Sequence, residues 1–232
     1  MNSAEKLVEI AENVPKVYEA GKKAEWSEFW DVVQQNGEKT NYSELFYKNY
    51  IFSEETFKPK YDMHCTNANT MFYSWGRYLP TDLIKCFKRQ GVVLDTSQAT
   101  DTQSMFGYAY GITAVPTIDL TSSPESTSQF NYASSLVTIE KLIVTAENTY
   151  SNTFNRCSSL ENLVIEGTIG QNGFNVQNSP LTHDSLMSII NALADKAGDT
   201  SETWTVTLGS SNKNKLTSEE LLIAENKGWQ VQ

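Results

Sequence analysis

The sequence predicts an α/β repeat solenoid, in which short parallel strands stack as the rungs of one sheet. Three observations carry this prediction: an apolar pattern recurs with a period of 24 residues, each copy ends in an alternating apolar pair, and capped amphipathic helices follow the last copy. Self-similarity at such a period is typical of solenoids, because each unit has one apolar edge that only its neighbours can cover. An alternating apolar pair is the pattern of a short strand with one buried face.

Three consecutive copies begin at Phe106, Phe130 and Phe154. In the first two copies, apolar residues follow the phenylalanine at offsets of 6, 9, 12 and 14 residues. The third copy is interpreted as three residues shorter, with Leu163 and Ile165 as its final apolar pair. We therefore expect the three phenylalanines to form one buried column. A second column beside it is predicted to contain Ile118, Leu142 and Leu163.

Residues 1–41 precede the copies and are predicted to form amphipathic helices. Leu7, Ile10 and Val14 lie at helical spacing and form a narrow apolar stripe on a charged helix. A repeat array needs a cap at its end, whereas a short lone helix needs a partner to be stable. Two interpretations therefore remain open: the segment caps the solenoid, or it docks onto a partner protein or onto a second copy of the chain.

Residues 42–180 are predicted to be the solenoid itself. Aromatic residues crowd its first part, from Tyr42 to Tyr78. Exposed aromatic rings are how many proteins hold sugars, so a glycan platform is one interpretation of this stretch. A repeat-like frame around Phe72 favours the other interpretation, in which the rings fill the core of irregular first copies.

Helices are predicted at two places outside the strict period. The segment between Phe72 and Phe106 is ten residues longer than the later period, and the excess is predicted to form a short helix. Residues 181–232 are predicted to be larger, helix-bearing repeats of the same solenoid, because Thr182 fits an N-cap and Thr217 begins a capping box. Alternating apolar residues after each of these helices predict further rungs of the same sheet.

A motif of the form Phe-Asn-x-Cys/Ala-Ser-Ser-Leu occurs at residues 130–136 and 154–160. It resembles the unit of the leucine-rich-repeat family of BspA type, in which the Phe and the Cys or Ala fill the core. The wider layout is similar to a group of such repeat proteins encoded in phages and prophages of gut Firmicutes, in residues 14–23, 55–62 and 165–174. Neither resemblance brings a catalytic motif.

The resemblance implies a non-enzymatic recognition or structural protein. In its leading form, the chain is a phage-encoded tail or tail-associated component that presents a repeat surface to a protein partner in a particle, or to a protein or glycan of the host surface. The alternative is a bacterial cell-surface adhesin of BspA type, against which the absence of a signal-peptide pattern argues.

The outward positions of the predicted strands are the candidate binding surface. Parallel rungs place one side chain per copy at a step of about 4.8 Å, so these residues would form a continuous row. Rows of this kind suit extended ligands such as protein surfaces and glycans. The row is predicted to consist of Asp119, Ile143, Val164, Asn175 and Thr207.

Acidic residues outnumber basic residues, with 28 Asp and Glu against 18 Lys and Arg, for a net charge of -10. Phosphate backbones repel such a surface, so nucleic acid is not an expected partner. No window approaches a membrane span, and no signal-peptide pattern follows Met1. The expected location is therefore the virion or the cytoplasm of the producing cell, without membrane insertion.

No motif for catalysis, cofactor binding or metal binding stands out. His64 lies beside Cys65, but no second cluster is spaced to complete a tetrahedral zinc site. His183 lies in the first turn of a predicted helix, and neither histidine has a visible nucleophile partner. Cys157 stands where the preceding copy has Ala133, which indicates a packed thiol. The chain is therefore predicted to be non-enzymatic, with no cofactor and no metal.

Overall fold

The structure is a computed structural model, and it describes Trp30, residues 41–49 and residues 52–232. The strands in these ranges are β1 (Met63–His64), β2 (Thr81–Asp82), β3 (Leu94–Asp95), β4 (Ile112–Val115), β5 (Ile118–Asp119), β6 (Thr138–Val144), β7 (Asn162–Gly167), β8 (Thr205–Val206) and β9 (Gln230–Val231). The helices in the same ranges are α1 (Leu83–Gln90), α2 (His183–Ala192), α3 (Ser210–Lys213) and α4 (Ser218–Asn226).

A curled parallel sheet of five strands organises the middle of the chain. β2 pairs with β4, while β6 pairs with β4 and β5 along one edge and with β7 along the other. Pro116 lies between β4 and β5, and the strand is divided there because proline has no N–H to donate. A parallel sheet accompanied by helices agrees with the predicted α/β class.

The register of the sheet confirms the 24-residue spacing of the first two copies. Val115 pairs with Ile139, and Ile118 pairs with Leu142. Both pairs join residues at the same offset from Phe106 and Phe130, as the apolar pattern predicts.

The predicted register of the third copy is wrong. Leu142 pairs with Ile165, whereas Leu163 pairs with Ile139. β6 carries one residue more than β7 between these two pairs, so a β-bulge shifts the register. The third copy is therefore shorter by one residue rather than three, and the second column contains Ile118, Leu142 and Ile165.

The predicted column of phenylalanines is confirmed and is longer than expected. The rings of Phe106 and Phe130 stack with centroids 5.4 Å apart, and those of Phe130 and Phe154 with centroids 5.8 Å apart. Towards the N-terminus the stack continues through Phe72, at 5.1 Å from Phe106, and Phe46, at 5.2 Å from Phe72. All five rings are buried. Burial of Phe46 and Phe72 confirms the core interpretation for these two members of the aromatic stretch.

The turn around each ring of the column has one backbone conformation. The residues two before and two after each phenylalanine have φ between 51° and 62°, a left-handed conformation that costs roughly 1–2 kcal/mol for a residue with a side chain. Hydrogen bonds between successive turns offset this cost. The N–H of Phe72 donates to the Met105 carbonyl at 2.8 Å, and that of Phe106 to the Gln129 carbonyl at 2.8 Å. Each turn thus fixes the position of the next.

The predicted short helix and the predicted caps at Thr182 and Thr217 are confirmed. The Asp82 side chain caps α1, and Gly91 ends it in a left-handed conformation. Thr182 caps α2 by accepting from the N–H of Ser185. Thr217 and Glu220 form the predicted reciprocal capping box at the start of α4.

The C-terminal strands do not continue the five-stranded sheet, which corrects the prediction. β8 and β9 form a parallel sheet of their own. The reason lies at β7, where α2 takes the place of a further strand: the Ser185 hydroxyl accepts from the N–H of Leu163 at 2.9 Å, and the Ser188 hydroxyl from the N–H of Ile165 at 2.8 Å. Two serine hydroxyls of a helix therefore accept the hydrogen bonds from β7 that another strand would otherwise have accepted.

Of the N-terminal segment, residues 1–41, the structure describes Trp30 and Asn41. The buried ring of Trp30 packs against the first ring of the column, with the centroids of Trp30 and Phe46 6.1 Å apart. The predicted assembly residues Leu7, Ile10 and Val14 lie outside the described residues. No helix in the described part of the chain is both long and apolar enough to span a membrane.

Candidate recognition surface

The predicted ladder residues do not form one row. Asp119 pairs with Ile143, and Ile143 pairs with Glu166. Val164 has 48% of its surface exposed, but it lies two positions before Glu166 on β7 and therefore outside this line. The same β-bulge that shifts Leu163 makes this part of the prediction wrong.

Asn175 and Thr207 lie elsewhere. They pair with each other in an isolated parallel bridge, apart from the five-stranded sheet. The Asn175 side chain turns back to its own loop, where it accepts from the N–H of Gln177 at 3.1 Å. The five predicted residues thus occupy three separate places.

Charged side chains lie on the strand face around Ile143. The Lys141 ammonium donates to the carboxylate of Glu166, the residue paired with Ile143, at 2.6 Å. This hydrogen bond raises the pKa of Lys141. An ion pair beside a half-buried isoleucine is typical of the solvated face of a sheet. The strand face therefore offers a weaker contact surface than the sequence predicted.

A second surface is formed by four tyrosines, Tyr47, Tyr73, Tyr108 and Tyr132, which we call the tyrosine row. Their rings lie one after another along the outside of the turns, with centroids 5.3, 5.4 and 4.8 Å apart. The first and last pairs are stacked within 11° and 5° of parallel, and the middle pair is tilted by 49°. Tyr47 is 40% exposed, and the other three are partly exposed.

The turns of the phenylalanine column position this row. Tyr47 and Tyr73 directly follow a column phenylalanine, whereas Tyr108 and Tyr132 come two residues after one. Between Tyr73 and Tyr108, the tyrosine moves from the first to the second position after the column phenylalanine. In the turn of Phe106, the first position, which Tyr73 has in its own turn, is occupied by Gly107. A Cβ at Gly107 would lie 3.0 Å from Cδ2 of Tyr73. The missing side chain therefore makes room for the Tyr73 ring to lie against its neighbour.

Three cations accompany the row. Lys48 lies over the Tyr47 ring at 5.1 Å and Arg156 over the Tyr132 ring at 5.4 Å, so a cation closes each end. Arg77 lies over Tyr110 at 5.0 Å. Within the described part of the chain, none of the three is in an ion pair with a carboxylate. On a chain with a net charge of -10, this surface is locally basic.

A cavity of about 430 Å³ opens beside the row. Tyr110 connects the two, because its ring meets that of Tyr108 edge-on at 6.2 Å. Tyr78, which also lines the cavity, is 91% exposed. The described residues that line the cavity are Ser74, Gly76, Arg77, Tyr78, Leu79 and Tyr110.

Two buried cysteines and both histidines have ordinary structural roles. Burial raises the pKa of the Cys157 and Cys65 thiols to about 12, which makes both poor nucleophiles. His64 bonds to Asp95 at 2.8 Å, and His183 bonds to Glu220 at 2.9 Å, at two separate places on the surface. The described residues contain no group of three or more His, Cys, Asp or Glu side chains placed to hold a metal ion.

The sequence carried a signal for the tyrosine row that periodicity in apolar residues did not reveal. Four column phenylalanines in succession have a tyrosine one or two positions later, as Phe-Tyr, Phe-Tyr, Phe-Gly-Tyr and Phe-Asn-Tyr. Their common surface becomes apparent only when each turn is stacked on the next.

Comparison with known proteins adds no relative to this picture, since no protein-family model, no curated protein and no solved structure matches the chain.

Proposed function

We propose that this chain is a non-enzymatic recognition protein, built as a leucine-rich-repeat solenoid, which contacts its partner through the tyrosine row. One observation carries the proposal: stacked tyrosines lie at the surface of an acidic chain, between cations that have no carboxylate partner among the described residues. Tyrosine and arginine dominate the energetics of many interfaces. Rings already held by their neighbours lose little conformational freedom on binding.

The solenoid part of the proposal is supported by the turns. Five successive turns share a buried phenylalanine and the same pair of left-handed residues, and backbone hydrogen bonds join each to the next. Stacking of equivalent units, each contacting only its neighbours, is the defining feature of a solenoid. In this proposal, the helix-bearing C-terminal segment closes the array.

Different variants test the two candidate surfaces. Replacing both Tyr108 and Tyr132 with alanine is expected to weaken binding of the purified chain to intact cells of the producing bacterium by about tenfold or more, since losing about 1.4 kcal/mol of contact has this effect. The matched variant replaces Ile143 and Val164 with lysine on the strand face, and it is expected to bind as the unmodified chain does. The reverse outcome, loss only in the lysine variant, would move the contact surface to the strand face. Circular dichroism of both variants establishes that they are folded.

The phage resemblance of the sequence supports a more specific role as a tail or tail-associated component. Mass spectrometry of gradient-purified particles from the producing culture is expected to detect the chain at a constant ratio to the major tail protein. Recovery with the cell envelope, and none with particles, would favour the alternative of a cell-surface adhesin.

The N-terminal segment is proposed to cap the array, because Trp30 packs on the first ring of the column. Deleting residues 1–24, which include the Leu7, Ile10 and Val14 stripe, is then expected to leave the mass measured by light scattering unchanged. A fall from an oligomeric mass to that of a monomer, with the fold retained, would show instead that the segment docks onto a second copy.

A further inference from the structure

We infer that the cavity between Arg77, Tyr78 and Tyr110 is a binding site for a carboxylate-bearing saccharide. The inference rests on the proposed recognition function and names a ligand class for one part of the surface. Its volume of about 430 Å³ lies within the roughly 300–1,000 Å³ of small-molecule pockets. It is open to solvent, as a site for the end of a glycan chain has to be.

Tyr78 supplies a free aromatic face. The ring is 91% exposed, and within the described part of the chain it makes no aromatic or cation contact, unlike the tyrosines of the row. Tyrosine combines an apolar ring with a polar tip. A sugar has the complementary character, because its C–H face stacks on a ring while its hydroxyl groups make hydrogen bonds at the edge.

Arg77 supplies the charge. Its guanidinium lies 5.0 Å from the centre of the Tyr110 ring, and this cation–π contact orients the group without using its N–H donors. No described residue accepts a hydrogen bond from Arg77 or forms an ion pair with it. The planar fork of a guanidinium matches the two oxygens of a carboxylate. A carboxylate on the ligand would therefore complete the pairing that the chain itself leaves open.

The cavity wall is held in place before any ligand arrives. The buried Trp75 donates its indole N–H to the Leu79 carbonyl at 3.3 Å and to the Thr81 hydroxyl at 3.2 Å. The Gly76 N–H donates to the Asn49 carbonyl at 2.8 Å. Gly111 packs so closely that a Cβ there would collide with the carbonyl oxygen of Gly76. Because the wall is already ordered, ligand binding does not lose the conformational entropy of ordering a loop.

The ligand is an acidic sugar rather than a nucleotide, although a nucleobase also stacks on tyrosine. A nucleotide brings phosphate charge to a chain with a net charge of -10, and among the described residues that line the cavity Arg77 is the one basic side chain. A sugar with one carboxylate needs one arginine to pair with its charge, and Arg77 supplies it.

The test is isothermal titration of the full chain with sialyllactose and glucuronate-terminated oligosaccharides, against lactose and the corresponding glucose-terminated oligosaccharides. Acidic sugars are expected to bind at least about tenfold more tightly than their neutral counterparts, a difference of about 1.4 kcal/mol. Arg77→Gln is expected to abolish this preference, and Tyr78→Ala to abolish binding of both kinds. Because both side chains are exposed, the variants are expected to keep the thermal melt of the unmodified chain.

The matched control is Lys196→Gln, which removes one positive charge from the cation–π contact over Trp204, away from the cavity and from the tyrosine row. It is expected to keep the full preference for acidic sugars. Equal loss in the Arg77 and Lys196 variants would show a general charge effect and overturn the site. No saccharide binding, or tighter binding of uridine monophosphate than of sialyllactose, would also overturn it. If intact cells still bind through the tyrosine row in that case, the proposed function stands and only the ligand assignment fails.

Discussion

Replacing Phe130 with alanine tests the phenylalanine column at its centre. The ring is fully buried and lies between Phe106 and Phe154, with centroids 5.4 and 5.8 Å away. Removing a buried phenylalanine leaves a cavity and typically costs about 3–5 kcal/mol. Two ring–ring contacts, each worth roughly 0.5–1.5 kcal/mol beyond burial, place this site towards the upper end of that range. Single domains are stable by only about 5–15 kcal/mol, so the variant is expected to lose much of its stability.

Urea unfolding followed by tryptophan fluorescence measures this loss. We expect a large fall in the midpoint with little change in slope, which indicates lower stability with the same surface exposed on unfolding. Tyr132→Ala is the matched control, because it removes an aromatic ring from the outside of the same turn. Its loss is expected to stay below about 1.5 kcal/mol, the upper value for one aromatic contact. A loss below about 1 kcal/mol for Phe130→Ala would refute the column, since that value is typical of substitutions outside a packed core.

Three further perturbations follow from particular contacts. Asn148→Ala removes a buried amide that donates to the carbonyls of Leu120 and Ser123; it is expected to cost about 1–3 kcal/mol in the same urea assay, and a neutral effect would contradict the role of this amide in joining two turns. Gly107→Ala is expected to displace the Tyr73 ring from Tyr108, which a crystal structure would show, while an undisturbed ring would refute the packing argument for the glycine. For Glu220, the hydrogen bond from the Thr217 backbone N–H, followed by the contact with His183, lowers the carboxyl pKa from its ordinary 4.5. Because the folded-state pKa is the lower one, the stabilisation is present above pH 4.5 and is lost as the pH falls through the lowered value. The stability difference between the unmodified chain and Glu220→Gln should therefore shrink below pH 4.5, and a difference independent of pH in acid melts would contradict this.

The sequence predicted those features that depend on local chemistry or on a strict period. The column of Phe106, Phe130 and Phe154 follows from equal spacing, because equal spacing gives equivalent positions in successive turns. The caps at Thr182 and Thr217 follow from side chains that bond to nearby backbone N–H groups.

Features that depend on a change of register were not predictable in the same way. One extra residue in β6 moves Leu163 from beside Leu142 to beside Ile139, and an apolar pattern cannot show which residue the strand leaves unpaired. The end of the sheet was missed for a related reason. Ser185 and Ser188 are ordinary polar residues in a helical pattern, yet their hydroxyls take the place of a strand at the edge of β7.

The tyrosine row likewise combines residues that the sequence shows with an alignment that only the stacked turns show. Each tyrosine of the row is visible in the sequence, but the rings come from two different positions relative to the column phenylalanines. Their alignment depends on the absence of a side chain at Gly107, and it emerges only from the stacked turns. The outward positions of the predicted strands pointed instead to a row that includes Ile143 and Val164.

Hydroxyl-radical footprinting of the chain bound to cells of the producing bacterium, with peptide mass spectrometry, tests the central claim most directly. Because side-chain oxidation reports solvent access residue by residue, both candidate surfaces are measured in one experiment. Recognition through the tyrosine row predicts that binding protects Tyr108 and Tyr132 from oxidation while Ile143 and Val164 react as in the free chain. Protection of Ile143 and Val164, with the two tyrosines unchanged, would contradict it.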